Sequence, residues 1–210
     1  MGTDHGLLPA WLLENRIAFS AIATDIVPGP LSRAERLMRS REIGNMSCRM
    51  CDGLAAVAPE EADTVIIAGM GGETIAAILE KASWAPRGAR LLLQPMSRPE
   101  LLRKALENME TSVFHESYVS DSGRIFPILA AEPGAGMGWR GAEYYTGRYD
   151  LVCDDPLFPA QLDALEKKWQ AALDGLSRSG REEDQLRRAQ LKELHFDLLE
   201  MRRKHYADRG

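Results

Sequence analysis

The sequence predicts an α/β domain on a largely parallel sheet, followed by an antiparallel helical hairpin. Three observations carry this. Through Met109, short aliphatic runs ending in an acid or a glycine alternate with helical segments, the pattern of strands joined by crossover helices. Residues 112–133 read as two strands around Asp121-Ser122-Gly123, an antiparallel hairpin. Beyond residue 150, apolar residues recur at spacings of three and four on two helices separated by "SRSG".

Each element follows in order. "LLPAWLLEN" (7–15) is helical, with Leu8, Trp11 and Leu12 on one side. "AFSAIATD" (18–25) is a buried strand ending at Asp25, and "VPGP" breaks the chain. "LSRAERLMRSREIG" is an amphipathic helix with Leu31, Ala34, Leu37 and Met38 inward and Gly44 suited to its C-terminal cap. "MSCRMCD" (46–52) is a strand ending at Asp52, followed by Gly53. "DTVIIAG" (63–69) is the clearest buried strand; it runs into Gly69-Met70-Gly71-Gly72 and the helix "ETIAAILEKA". "ARLLLQP" (89–95) repeats the pattern, with "RPELLRKALENM" as its helix. "PGAGMGWRGAEYYTGRY" (133–149), rich in glycine and aromatics, reads as a linker or loop. Leu162, Leu165, Trp169, Leu173 and Leu176 form one helical stripe; Leu191, Leu194, Leu198 and Met201 form the facing one. The expected division is an α/β domain over 1–149 and a helical, coiled-coil hairpin over 150–210.

Composition narrows the function classes. Hydrophobic residues make up 45% and charged residues 27% of the chain, enough apolar material for a core. No stretch approaches the roughly 18 apolar residues of a membrane span, and no signal peptide is evident, so a cytoplasmic protein is expected. Three cysteines argue against a disulfide framework. Cys48 and Cys51 match C-x-x-C, but strand residues three apart point to opposite faces, so buried strand cysteines are preferred to redox or metal chemistry. His5, His115, His195 and His205 are scattered, and no metal is expected. A net charge of -5 weakens a simple nucleic-acid reading. Arg33, Arg36, Arg39, Arg41 and Arg49 fall in one region, diluted by Glu35 and Glu42, which favours a solvated helix face.

Ligands of such sheets bind beyond the carboxyl ends of the strands. Asp25 is placed to accept both hydroxyls of a ribose. Asp52 with the backbone N–H at Gly53 is placed to hold the edge of an adenine. Three glycines in the turn Gly69-Met70-Gly71-Gly72 exceed what one corner needs and allow close approach of a substrate. Gln94 ends the next strand with one donor group and one acceptor. No nucleophile–base pair stands out. This poverty of catalytic groups fits methyl transfer from S-adenosylmethionine, where the protein need only align donor and acceptor and exclude water. The closing antiparallel hairpin is the usual ending of class I methyltransferase sheets.

"GTDHGLLP", "DIVPGPLSRA", "CDGLA", "DTVIIAGMGGETIAAIL", "LLLQPMSRPELLRKAL" and "GRIFPIL" occur in the order and spacing of one family. Through roughly residues 1–132 the chain resembles the bacterial tRNA (adenine-22-N1)-methyltransferases, the TrmK family, and its hairpin resembles that family's coiled-coil extension. The resemblance implies a class I, Rossmann-like methyltransferase using S-adenosylmethionine to methylate N1 of an adenine in tRNA. It implies cofactor contacts from Gly2, Asp4, His5, Asp25, Asp52, Gly53, Gly69 and Met70. It implies a base pocket from His5, Gly71, Gln94, Pro95 and Arg98, with Asp4, Gly71 and Gln94 nearest the chemistry. Asp4 is the candidate carboxylate for the N6 edge of the target base. Two other readings stay open: a methyltransferase for another RNA or a small molecule, and a weakly active binding module whose hairpin recruits a partner or dimerises.

The chain departs from the family at its start. There the loop reads Asp-Ile-Gly-Thr-Asp-His after a helix and a first strand; here Met1 stands at the Ile position. The expectation is a sheet lacking its first, central strand, with the full protein starting upstream; the alternative is a decayed remnant.

Overall fold

The computed structural model describes residues 1–3, 5–136 and 138–208. Six strands fall into two sheets. β1 (Ala21–Asp25) and β2 (Met46–Met50) pair in parallel, with Ala21 opposite Met46 and Asp25 opposite Met50. β3 (Thr64–Gly71), β4 (Arg90–Ser97), β5 (Thr111–Asp121) and β6 (Arg124–Pro133) form the second sheet in the order β3-β4-β6-β5. β3 and β4 are parallel, Ile67 facing Leu93; β6 runs antiparallel to β4 and sets Leu129 against Leu93. Between β5 and β6, Ser122 and Gly123 both take positive φ, 49° and 75°. That is the primed two-residue turn whose twist suits a hairpin.

The predicted gap in the sheet is visible as the separation of these two sheets. Met1 and Gly2 lie between them. The Met1 ammonium donates to the Ile66 carbonyl at 3.0 Å. The Gly2 N–H donates to the Thr24 carbonyl at 3.1 Å. The first two residues thus bridge the end of β1 and the body of β3.

The helices follow the apolar pattern with several differences: the first buries Ala10 and Leu13 while Leu8 and Trp11 are half exposed, and the second ends at Ser40 with Arg41, not Gly44, at its C-cap. α1 spans Leu7–Glu14 and α2 spans Pro28–Ser40. α2 includes the "PGP" read as a break, because proline in a first helical turn gives up an N–H that has no helical partner anyway. α3 (Gly72–Lys81), α4 (Trp84–Gly88) and α5 (Pro99–Asn108) accompany the second sheet. The segment read as a linker carries two short helices, α6 (Glu143–Thr146) and α7 (Tyr149–Val152). α8 (Phe158–Ser177) and α9 (Glu182–Ala207) form the expected hairpin. No described helix is long and apolar enough to cross a membrane.

Three apolar clusters hold these elements. The largest joins Ile67, Leu91, Leu93 and Leu129 of the sheet to Ile75 and Leu79 of α3 and Leu102 and Leu106 of α5, all fully buried. Each such side chain contributes roughly 1.5–3 kcal/mol by leaving water. A smaller cluster of Ala10, Leu13, Ala23, Ala34, Ile43 and Met46 serves β1, β2 and their helices. The third, around Tyr118, Val152, Phe158, Leu162, Trp169 and Leu198, seats the helical hairpin on β5.

A buried ion pair ties the 134–149 segment to the sheet and explains why it is no free linker. Arg103 of α5 and Glu116 of β5 are 0% and 1% exposed at their side chains, with Nη2 2.6 Å from Oε2. Arg103 Nη1 donates to the Tyr144 carbonyl at 2.7 Å. Trp139 Nε1 donates to the other Glu116 oxygen at 2.8 Å. The arginines near α2, by contrast, are surface groups with local partners: Arg39 with Glu35, Arg41 with Glu14 and Arg49 with Glu61.

Glu116→Ala leaves the Arg103 guanidinium buried without an anion. Urea denaturation is expected to show a loss of about 3–5 kcal/mol; a loss below 1 kcal/mol contradicts this role. A Cβ at Gly72 would collide with the Arg98 carbonyl, whereas one at Gly88 meets open space. Gly72→Ala should therefore cost about 1–3 kcal/mol, read as a lowered Tm, and Gly88→Ala should cost nothing.

Candidate active site

The carboxyl ends of β1, β2, β3 and β4 gather most of the residues picked from sequence. Asp25 closes β1, and its Oδ1 accepts the Val27 N–H at 2.9 Å, which fixes the carboxylate at the turn. Asp52 follows β2, with its carboxylate half exposed and Oδ2 2.8 Å from Lys81 Nζ. Cys51 N–H donates to the Asp25 carbonyl at 3.0 Å, so the two acidic loops are directly joined. Gly53 has φ 64°; a Cβ there would sit 3.3 Å from Ile78 Cγ2 and 3.7 Å from Met1 Cε. Its backbone therefore rests against α3 and the first residue.

Gly2 brings the first loop into the same place. Its φ is 67°, and a Cβ there would collide with the Met70 methyl. Contact with Met70 and the bond to Thr24 put Gly2 between the glycine-rich end of β3 and the β1 end that carries Asp25. The Met1 ammonium is buried here. Burial pushes its pKa down, opposed by the nearby Asp25 carboxylate. His5, exposed and at φ 60°, follows in the same loop just ahead of α1. Asp4 lies outside the described residues.

Gly69-Met70-Gly71, read from sequence as a turn, is the irregular end of β3, still paired with β4: the glycine at positive φ is absorbed as a bulge in the ladder rather than breaking it. Gly69 adopts φ 76° and donates its N–H to Gln94 Oε1 at 2.9 Å. Gln94 Nε2 reaches only the Met96 sulfur, at 3.4 Å. Of the donor group and acceptor expected of Gln94, the acceptor holds Gly69, and among the described residues the amide hydrogens meet the weak Met96 sulfur. Gly71 is extended, at φ -68° and ψ 147°, and caps α3; a Cβ there would sit 3.2 Å from Ser97 Oγ. Pro95 is buried opposite Met70 in the β3–β4 ladder, so it backs the glycine turn from within the sheet.

Arg98 stands at the outer edge of the group. It adopts φ 52° and ψ 48° immediately before Pro99, a conformation that both its own Cβ and the following ring disfavour. Its guanidinium is 57% exposed and flanked by Glu100 at 3.5 Å and Glu73 at 3.9 Å. Packing of its carbonyl against Gly72 holds this strained corner.

Two contributors were missed in the sequence. Lys81 pairs with Asp52, and Ile78 underlies Gly53. The signal was present in "ILEKA": Ile78 and Lys81 are three apart and share a helix face. What could not be read was that this face meets the end of β2. The other shallow depressions, one on α9 near Phe196 and one near Arg87 and Pro133, lie away from these strand ends.

Comparison with known proteins fits this geometry. The family described as methyltransferase domain matches residues 1–129. The tRNA (adenine(22)-N(1))-methyltransferase of Bacillus subtilis is 35% identical over 136 residues; the match covers 64% of this chain and 57% of that protein. The chain therefore spans little more than half the length of this relative. The crystal structure of the B. subtilis tRNA methyltransferase TrmK superposes with a TM-score of 0.86 at 27% identity, covering 96% of this chain and 90% of that one. A Streptococcus pneumoniae tRNA methyltransferase candidate, crystallised in complex with S-adenosyl-L-methionine, superposes at 0.82 with 27% identity, covering 96% and 90%. Strand ends bearing acids and glycines, the closing hairpin and a match over more than half the length agree: the chain belongs to the methyltransferase domain family.

Proposed function

We propose that the chain is an S-adenosylmethionine-dependent tRNA (adenine-N1)-methyltransferase acting at adenine 22, in the cytoplasm. The observation that carries this is the joining of Asp25, Asp52, Gly53, Gly2 and the Gly69–Gly71 turn at one end of the two sheets. The B. subtilis relative, described as a tRNA (adenine(22)-N(1))-methyltransferase, supports the acceptor. The streptococcal complex supports the cofactor.

The residues present fit such a donor. Two carboxylates from adjacent strand ends accept hydrogen bonds from a ribose and from an adenine amine. Glycines at positive φ let the Gly2 and Gly53 backbones pack closely on Met70 and Ile78. When bound, S-adenosylmethionine supplies a methyl group already activated by its sulfonium. Asp25, anchored by the Val27 N–H, orients the ribose. Asp52 and the Gly53 backbone N–H hold the adenine edge. Gly2, His5 and Asp4 serve the amino-acid end of the donor.

At the acceptor side the chain positions and shields. Gly71 and the Gln94-braced Gly69 leave the backbone open for close approach of a flat base, presented out of its stack. Gln94 Nε2 is the free donor for an acceptor atom of that base. His5 and Arg98 complete the pocket, with Pro95 supporting its wall from within the sheet and Arg98 offering an exposed cation to an adjoining phosphate. N1 of adenine attacks through its own lone pair, so no strong general base is needed. Asp4 is assigned the N6 edge, where proton acidity rises as the ring becomes cationic. The helical hairpin supports the tRNA body.

Asp25→Ala and Asp52→Ala should each weaken S-adenosylhomocysteine binding by tenfold or more in calorimetric titration while Tm moves little. Unchanged affinity in both removes the cradle as the cofactor site. With labelled donor and bulk bacterial tRNA, incorporation should map as reverse-transcription stops at adenine 22. Binding of S-adenosylhomocysteine without methylation of tRNA would point instead to another RNA or a small molecule.

A further inference from the structure

We infer that Lys81 is a positioning residue of the cofactor site: it holds the Asp52 carboxylate in the orientation that receives the adenine amine. The inference rests on the reading of the cradle above. Asp52 sits in a turn beyond β2, half exposed, and the side-chain partner it has among the described residues comes from outside its loop. Lys81 comes from the last turn of α3, 29 residues away, and places Nζ 2.8 Å from Oδ2. One turn earlier on the same helix, Ile78 forms the floor under Gly53. A single helix face therefore supports both halves of the adenine subsite, the apolar contact under the backbone and the cation beside the carboxylate.

The atoms divide cleanly. A carboxylate carries two oxygens and about four acceptor directions. Lys81 engages Oδ2, which leaves Oδ1 for the exocyclic N–H of the adenine. The pair is exposed, so its effect on global stability is small; its effect is on the rotamer and charge of one oxygen. Lys81 touches neither the ligand nor the reacting atoms.

The experiment is a calorimetric titration of the whole chain with S-adenosylhomocysteine and with S-inosylhomocysteine, in which an oxygen replaces the adenine amine. Wild type, Lys81→Met, Lys81→Arg, Asp52→Asn and the Lys81→Met/Asp52→Asn double variant are compared. Lys81→Met should weaken S-adenosylhomocysteine roughly 2–5-fold, the range of an exposed ion pair. Lys81→Arg should restore the affinity. The inosyl ligand should show no difference, and the double variant should bind no worse than Asp52→Asn. Equal loss of both ligands in Lys81→Met means a general disturbance of the loop and overturns the inference, as does wild-type affinity in that variant. If the wild-type chain binds neither ligand, the cradle reading itself falls; if it binds and only the Lys81 pattern is absent, this inference alone falls.

Discussion

The buried pair of Arg103 and Glu116 is the constraint on which the arrangement of the whole chain depends. Taking two ions out of water costs several kcal/mol each, and the cost is met only where geometry and further hydrogen bonds are good. Here both carboxylate oxygens and all three guanidinium nitrogens are engaged: Nε and Nη2 donate to Glu116, Nη1 to the Tyr144 carbonyl, and Trp139 to the second carboxylate oxygen. The pair locks α5 to β5 and draws in Trp139 and Tyr144. Tyr145, next along, packs edge-on against Trp169 of α8 at 5.0 Å. Asp155 accepts the Tyr118 and Leu157 N–H groups, both at 2.8 Å, and so pins the start of α8 to β5. The direction of the helical hairpin is thus set by hydrogen bonds that begin in α5, the helix whose first residue follows Arg98.

The site is assembled from two sources. Asp25, Asp52 and Gly53 come from β1, β2 and their loops, packed on the smaller apolar cluster. The glycine turn, Gln94, Pro95 and Arg98 come from β3, β4 and the start of α5, packed on the larger one. They are joined by the Gly2 bond to Thr24, the Met1 bond to Ile66, the Lys81–Asp52 and Arg49–Glu61 pairs, and the packing of Ile22, Leu54 and Val57 on the larger cluster. Donor contacts are assigned to the first source and acceptor contacts to the second. Methyl transfer needs the two aligned, and this junction is where alignment is decided.

Much of this was legible from residue order. The strand ending in Asp25 and the hairpin around Ser122-Gly123 stand where hydrophobic runs and turn residues put them; the strand expected to end at Gly69 continues to Gly71. Aliphatic periodicity is a local signal that burial reinforces. Two things were not legible. "VPGP" reads as a break because proline and glycine are poor in helix interiors, yet at Pro28 and Pro30 only the first turn is involved. "GWRGAEYYTG" reads as a loop because its glycines and aromatics lack a period. Its order comes from Glu116 and Arg103, more than twenty residues distant, and no local pattern reports a partner that far away. The same limit hid Lys81 and left Gln94 with an acceptor it does not have to spare. Side-chain type is written in the sequence; its saturation by a neighbour is not.

The bridging of the two sheets by Met1 and Gly2 has a thermodynamic side. The β1–β2 unit meets the rest through the Met1 and Gly2 hydrogen bonds and the side chains of Ile22, Leu54 and Val57, and a junction of few contacts costs less to part than a sheet interior. A molecule gripping Asp25 and Asp52 on one side and the Gly69 turn on the other adds its own binding free energy to the closed form, growing as RT ln(1 + [L]/Kd). Ligand occupancy and internal cohesion are then one coupled equilibrium, and a substitution anywhere along the junction shifts both together.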